Sequence, residues 1–222
     1  VARVNNQEVE VIASQGDRNL GGKDFDRAIF EWMQEAYRNE HEEDLVSGEQ
    51  PEGEWMVQAE KIKKLLSKRD SAKVVLRGDT GTLRLELTRA KFEEMISTKV
   101  ARTESLVEIV LDEAGLQPQD IDSVLLVGGS SRIPVFQESI RKLFGKEPEQ
   151  SVNMDEVVAL GAAIYAGKKA PQGSLSVTQE RAMAAVKMSD VCNHFFGTLV
   201  ARQSVTGGLE AYNEVILRKN TP

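Results

Sequence analysis

Glu8-Val9-Glu10-Val11-Ile12-Ala13 opens with polar and apolar residues in alternation, the period of a half-buried strand. From Phe25 to Arg38 the period changes. Phe25, Ile29, Trp32, Met33 and Ala36 fall on one helical stripe. Trp55 to Ser67 predicts a second amphipathic helix with Ile62, Leu65 and Leu66 toward the core. Two short strands follow, Lys73 to Leu76 and Thr82 to Leu87, joined across Gly78-Asp79-Thr80-Gly81, whose residues have hairpin turn chemistry. A long helix is predicted from an N-cap at Thr88, through Phe92, Met95, Ile96, Val100, Val107, Val110 and Leu111, to a C-terminal glycine at Gly115. Ser123 to Val127 is a continuous apolar run, as expected for a strand covered on both faces. Gly128-Gly129 leads from it into another helix, and Glu156 to Tyr165 predicts a last one. Strands interleaved with helices indicate α/β layering. Beyond Pro171, Phe195 to Ala201 and Val215 to Leu217 look strand-like, with too little chain after them for a stable sheet.

Composition narrows the functional classes. Of 222 residues 41% are hydrophobic and 28% charged, a globular mixture. No apolar run approaches the ~20 residues that span a bilayer, so no membrane role is expected. The net charge of −7 argues against broad nucleic-acid binding. A composition shift near Lys168 to Ser174 reads as a linker start, and the acidic excess lies wholly upstream of it. One cysteine, Cys192, excludes an internal disulfide framework, and two histidines leave little for a metal site or a Ser-His-Asp relay. The start at Val1, without Met or a signal-peptide layout, reads as a non-native beginning of a piece of something longer.

Three segments hold candidate chemistry. In Leu126 to Pro134 (LVGGSSRIP) a strand empties into two glycines, two hydroxyls and an arginine, with a proline suited to a first helical turn. Gly128 and Gly129 would let a ligand approach the backbone, and the free N–H groups of the next helix favour polar or anionic groups. A tight turn with no ligand fits the same pattern. Glu60, Lys63, Lys64 and Ser67 share the polar face of one helix. A carboxylate and a serine there suit sugar hydroxyls, and a lysine stem suits a flat base; a solvated face with a Glu60–Lys64 pair is the plainer alternative. Asp24, in Asp17 to Asp26, reads as a helix cap and the run as structural, as does Asn153 to Glu156. Neither GxxxxGK[ST] nor GxGxxG occurs. No catalytic or metal-ligating set is visible.

The motifs DRNLGGKDFD (Asp17 to Asp26), EKIKKLLS (Glu60 to Ser67), TRAKF (Thr88 to Phe92), DIDSVLLVGGSSRIP (Asp120 to Pro134) and VNMDEVVALGAA (Val152 to Ala163) occur in the order found in heat shock protein 70 chaperones of the DnaK type. The chain resembles the second lobe of that family's actin-like (ribonuclease-H-like) ATPase fold over residues 1–170, with a smaller α+β subdomain at about 39–116. Residues 171–190 would then be the linker, with Val186 to Asp190 its interdomain part, and residues 191–222 the β-stranded tail that begins the substrate-binding β-domain. The resemblance implies an adenine nucleotide, ATP or ADP. It places Glu60, Lys63 and Ser67 on one side of adenosine, with Gly128, Gly129, Ser130, Arg132 and Ile133 opposite. Arg132 would stack on the base and Asp155 close the rim. It also implies, for a cytoplasmic full-length parent in the stress response, Mg²⁺, hydrolysis coupled to unfolded polypeptide, a J-domain co-chaperone and a nucleotide exchange factor. The first lobe and its phosphate loop have no counterpart here, so no ATP turnover is expected of this chain. A non-hydrolysing module that docks an exchange factor through residues 39–116 is the alternative. Met154 stands where the family has proline, and Val186-Lys187-Met188-Ser189-Asp190 replaces a leucine-rich linker.

Overall fold

The apolar stripe predicted on the first long helix organises the main core. The computed structural model describes residues 1–5, 8–46, 51–149, 153, 156–171, 173–192, 194–203 and 209–221. They divide into two compact units, one of residues 17–105 and 121–155, the other of residues 1–16, 106–120 and 156–222.

In the first of these units, helix α1 (Gly22–His41) buries Phe25, Ile29, Met33 and Tyr37, four positions at helical spacing. Helix α2 (Glu52–Leu66) packs on it through Trp55, Ala59, Ile62 and Leu66. Leu65, expected on the core side, is exposed, because the stripe from Ile62 and Leu66 leaves it one position too far round. Strands β3 (Ser71–Gly78) and β4 (Gly81–Thr88) pair antiparallel from Ser71↔Thr88 to Gly78↔Gly81. The hairpin predicted from the glycines is present, and Ala72, Val74 and Leu76 alternate inward as a half-buried strand requires. Its turn rests on α1, where Tyr37 Oη shares a 2.9 Å hydrogen bond with Thr80 Oγ1.

Thr88 caps the next helix, its Oγ1 accepting the Lys91 N–H at 3.2 Å. The single long helix expected there is two: α3 (Arg89–Met95) and α4 (Ser97–Ala114). Ile96 leaves helical geometry between them, and Phe92, Ile96 and Val100 are all buried. Packing outweighs a propensity that would have continued the helix. Gly115 ends α4 at φ +67°.

The continuous run at 123–127 corrects the sequence reading. Among the described residues it makes only an isolated parallel bridge, Leu125↔Glu149, and Leu125 is 56% exposed. A strand buried on both faces needs ladders on its edges to satisfy its N–H and C=O groups; apolar content alone does not supply them. Helix α5 (Pro134–Phe144) follows, with proline in its first turn and Gly145 at φ +64° after its end.

In the other unit, β1 (Ala2–Val4) pairs antiparallel with β2 (Glu8–Val11). Helix α6 (Val157–Lys169) extends past the predicted Tyr165 and leaves Val158, Leu160, Ile164 and Tyr165 exposed. The stretch read as linker holds helix α7 (Val177–Ala185), started by a Ser176–Gln179 capping box, and strand β5 (Lys187–Ser189), which adds in parallel to β2. Strands β6 (Phe196–Gln203) and β7 (Leu209–Leu217) pair as a two-stranded sheet with Leu199, Leu209 and Ile216 exposed. The end of α4 meets the tail: Lys219 Nζ donates to both Glu113 oxygens, at 2.6 and 2.8 Å, and Asn220 Nδ2 adds a 3.2 Å bond. No helix among the described residues is long and apolar enough to cross a membrane.

Candidate functional site

The sequence-predicted site residues that the structure describes all belong to the unit built on α1. Asp155 lies outside the described residues. The others come from two places, the C-terminal half of α2 and the turn after Val127.

On α2, Glu60, Lys63 and Ser67 follow one another along the helix and are each partly buried. Glu60 Oε1 is 2.9 Å from Lys64 Nζ, and that lysine's hydrogen bond and charge hold the Glu60 carboxyl below its ordinary range. This is the solvated i,i+4 pair that the plainer alternative anticipated. Ser67 Oγ donates to the Lys63 carbonyl at 3.0 Å. The end of α2 is fixed from α3, because Arg89 Nε donates to the Leu66 carbonyl at 2.8 Å and its guanidinium pairs with Asp70 at 2.9 Å.

Lys63 is directed inward. Its Nζ donates to the Gly22 carbonyl at 2.9 Å and lies 2.7 Å from Asp26 Oδ1, with side chains only 12% and 9% exposed. Asp26 Oδ1 accepts no well-aligned hydrogen bond, so the ammonium meets it at short range in poor hydrogen-bond geometry. Burial pushes the Asp26 carboxyl above its ordinary range, and the adjacent Lys63 ammonium, as donor and as charge, opposes that only in part. The sequence reads Asp24 as a helix cap and the Asp17 to Asp26 run as structural. That holds for Asp24, whose Oδ2 accepts the Gly21 N–H at 2.7 Å. That reading misses Asp26. The signal was its place one helical step from Phe30 and two from Met33, a charged residue on a buried stripe.

The diglycine turn has the shape its residues suggest. Gly128 sits at φ +89°, where a side chain would be strained, and residues 129–132 form one 3₁₀ turn. Ser131 is buried and its Oγ donates to the Gly128 carbonyl at 2.5 Å. Gln137 Nε2 clamps the Ser131 carbonyl at 3.0 Å. Ile133, expected on the adenosine wall, is a buried member of the core. It anchors the turn, aided by Phe136 against Phe25 with ring centroids 5.4 Å apart. Gly129 and Arg132 stay exposed.

The two segments meet at the start of α1. A Cβ built on Gly22 would lie 3.2 Å from Lys63 Nζ and 3.7 Å from Ser130 Oγ. Residues that are about seventy positions apart in sequence therefore approach one point, and the segments that bring them there also carry a partly exposed Glu60 and an exposed Arg132. The set offers a carboxylate, two hydroxyls, an ammonium and a guanidinium. Those donors and acceptors suit a polyhydroxylated ligand with a flat ring, and they do not form a proton-transfer relay. Among the described residues no group of three His, Cys, Asp or Glu side chains could hold a metal.

A groove of about 850 Å³ lies along α2 on a different face, between Trp55, Val57, Gln58 and Lys61 and the strand residues Val75 and Arg77. None of the predicted site residues lines it.

A family model described as Hsp70 protein matches residues 1–221. The chain is 46% identical over 166 residues to the Chaperone protein DnaK of each of two strains of Thermus thermophilus. Each alignment covers 71% of this chain and 27% of the relative, so the chain spans about a quarter of the length of these curated relatives.

Proposed function

Because the chain belongs to the Hsp70 family, we propose that it is part of an ATP-driven folding chaperone and carries the adenosine half of that protein's nucleotide site. Family membership implies the actin-like ATPase fold, and the mixed helices and sheets agree with it. Within that fold we assign residues 1–170 to the second lobe, about 39–116 to its smaller subdomain, 171–190 to the linker and 191–222 to the opening of the β-domain. The observation that carries the reading is the convergence of Lys63 and Ser130 on Gly22. Glu60 and Ser67 from α2 would address the ribose and base, and Arg132 would stack across the ring. These residues supply nucleoside contacts alone, whereas phosphoryl transfer requires phosphate, metal and water to be positioned together. The chain by itself is expected to bind adenosine or ADP weakly and to turn over no ATP. For the whole chaperone the reading implies a cytoplasmic setting, unfolded-polypeptide clients, a J-domain co-chaperone and an exchange factor.

Titration with labelled ADP tests it. Binding should fall at least tenfold in Arg132→Ala and in Glu60→Ala; unchanged binding in both would overturn the site. The second reading, a module that docks an exchange factor without using ATP, draws on the α2–β3 groove, which lies inside residues 39–116. It predicts unchanged ADP behaviour in both variants and loss of exchange-factor binding in a Val57→Glu variant.

A further inference from the structure

The Lys63–Asp26 pair sits where a stable core does not need one. Replacing a buried ion pair by apolar residues of similar volume is often neutral or stabilising, so packing alone does not account for a carboxylate among Phe30 and Met33. Its geometry gives it another use. Lys63 leaves α2 on the side that carries Ser67, which bonds back to the Lys63 carbonyl. The Lys63 ammonium is taken up by two groups of α1, the Asp26 carboxylate and the Gly22 carbonyl, and so ends at the Gly22 backbone, which the Ser130 hydroxyl of the turn also approaches. A free lysine side chain has rotamer entropy to lose on being fixed. Here that loss is met by the protein before any ligand arrives, which is how preorganisation raises affinity.

We propose that Asp26 is a positioning residue of this site: it pins the Lys63 ammonium at the start of α1, on the Gly22 backbone that Ser130 also approaches, so that α2 presents a fixed lysine stem and an ordered polar edge to the nucleoside. The inference rests on the adenosine reading and deepens it. Asp26 touches no ligand; it acts through Lys63. With Asp26 neutralised, Lys63 keeps only the Gly22 carbonyl and is free to swing into water, and the ligand must then order it.

Calorimetric titration of the chain with adenosine, in a double-mutant cycle of Asp26→Asn and Lys63→Met, tests the assignment. Asp26→Asn, nearly isosteric, should weaken adenosine about tenfold while the far-ultraviolet circular dichroism is unchanged. In the Lys63→Met background the same substitution should have no further effect, a coupling that a general loosening of the fold would not produce. Tenfold weakening both with and without Lys63 would overturn the positioning role. So would adenosine binding that Asp26→Asn leaves intact, with the adenosine reading still standing. If the unmodified chain binds no adenosine, the reading itself fails and takes the positioning role with it.

Discussion

Two lysine–carboxylate pairs, one in each unit, have nearly equal separations and opposite electrostatics. Lys63 Nζ is 2.7 Å from Asp26 in the α1–α2 core, and Lys219 Nζ is 2.6 Å from Glu113 at the end of α4. Yet the Asp26 carboxyl is pushed above its ordinary range and the Glu113 carboxyl is held below its own. Distance does not explain the contrast. Glu113 is 27% exposed and accepts from Lys219 on both oxygens and from Asn220. Asp26 is 9% exposed and has one cation at an oxygen with no aligned hydrogen bond. Desolvation dominates at Asp26 and donors at Glu113. A short ion pair is therefore no measure of stabilisation until the burial and the full donor set are known.

The largest expected effect comes from breaking the buried pair on one side. Lys63→Met leaves a carboxylate in the core without its cation and should cost about 3 kcal/mol in urea unfolding. Glu113→Ala, where solvent takes over much of the lost interaction, should cost about 1 kcal/mol or less; equal losses would erase the contrast. Removing both charges sharpens it. Lys63→Met with Asp26→Leu should recover most of the lost stability, to within about 1.5 kcal/mol of the unmodified chain.

The smallest effect is in pH dependence, and its two signs differ. Between the ordinary aspartate range and the raised value in the fold, the folded state holds the Asp26 proton more tightly than the unfolded chain does. Stability from Asp26 is lost as pH rises through that window. Glu113 behaves oppositely: its contribution is present above the ordinary glutamate range and is lost as pH falls through the lowered value. Subtracting the unfolding free energies of Asp26→Asn and of Glu113→Gln from that of the unmodified chain, across mildly acid pH, should give slopes of opposite sign. Parallel slopes would show that one of the two environments is wrongly described.

What the sequence made legible was local. Thr88 caps a helix and Gly115 ends one because both act within a turn of their own position. The β3–β4 hairpin follows from its two glycines and the alternation beside them. The Ser176-to-Gln179 capping box was also there to be found, inside a stretch that composition alone marks as linker. The run at 123–127 was not legible as an isolated bridge, since a ladder depends on distant partners that no window contains. The site divides along the same line. The diglycine turn and the polar stripe of α2 announce themselves, while Asp26 acquires meaning only when Lys63 reaches it across a helix–helix interface. Ile133 is legible as an apolar residue of the turn, while its burial depends on neighbours that no motif contains.

The exposed apolar residues of α6 and of the β6–β7 hairpin have a calorimetric consequence. Val158, Leu160, Ile164, Leu199, Leu209 and Ile216 are already hydrated in the folded chain, so melting exposes little that is new there. A globular protein of this length would gain about 3 kcal/mol/K of heat capacity on unfolding. This chain should gain distinctly less, and most of what it gains should come from the helices and hairpin that enclose Phe25, Met33 and Phe92.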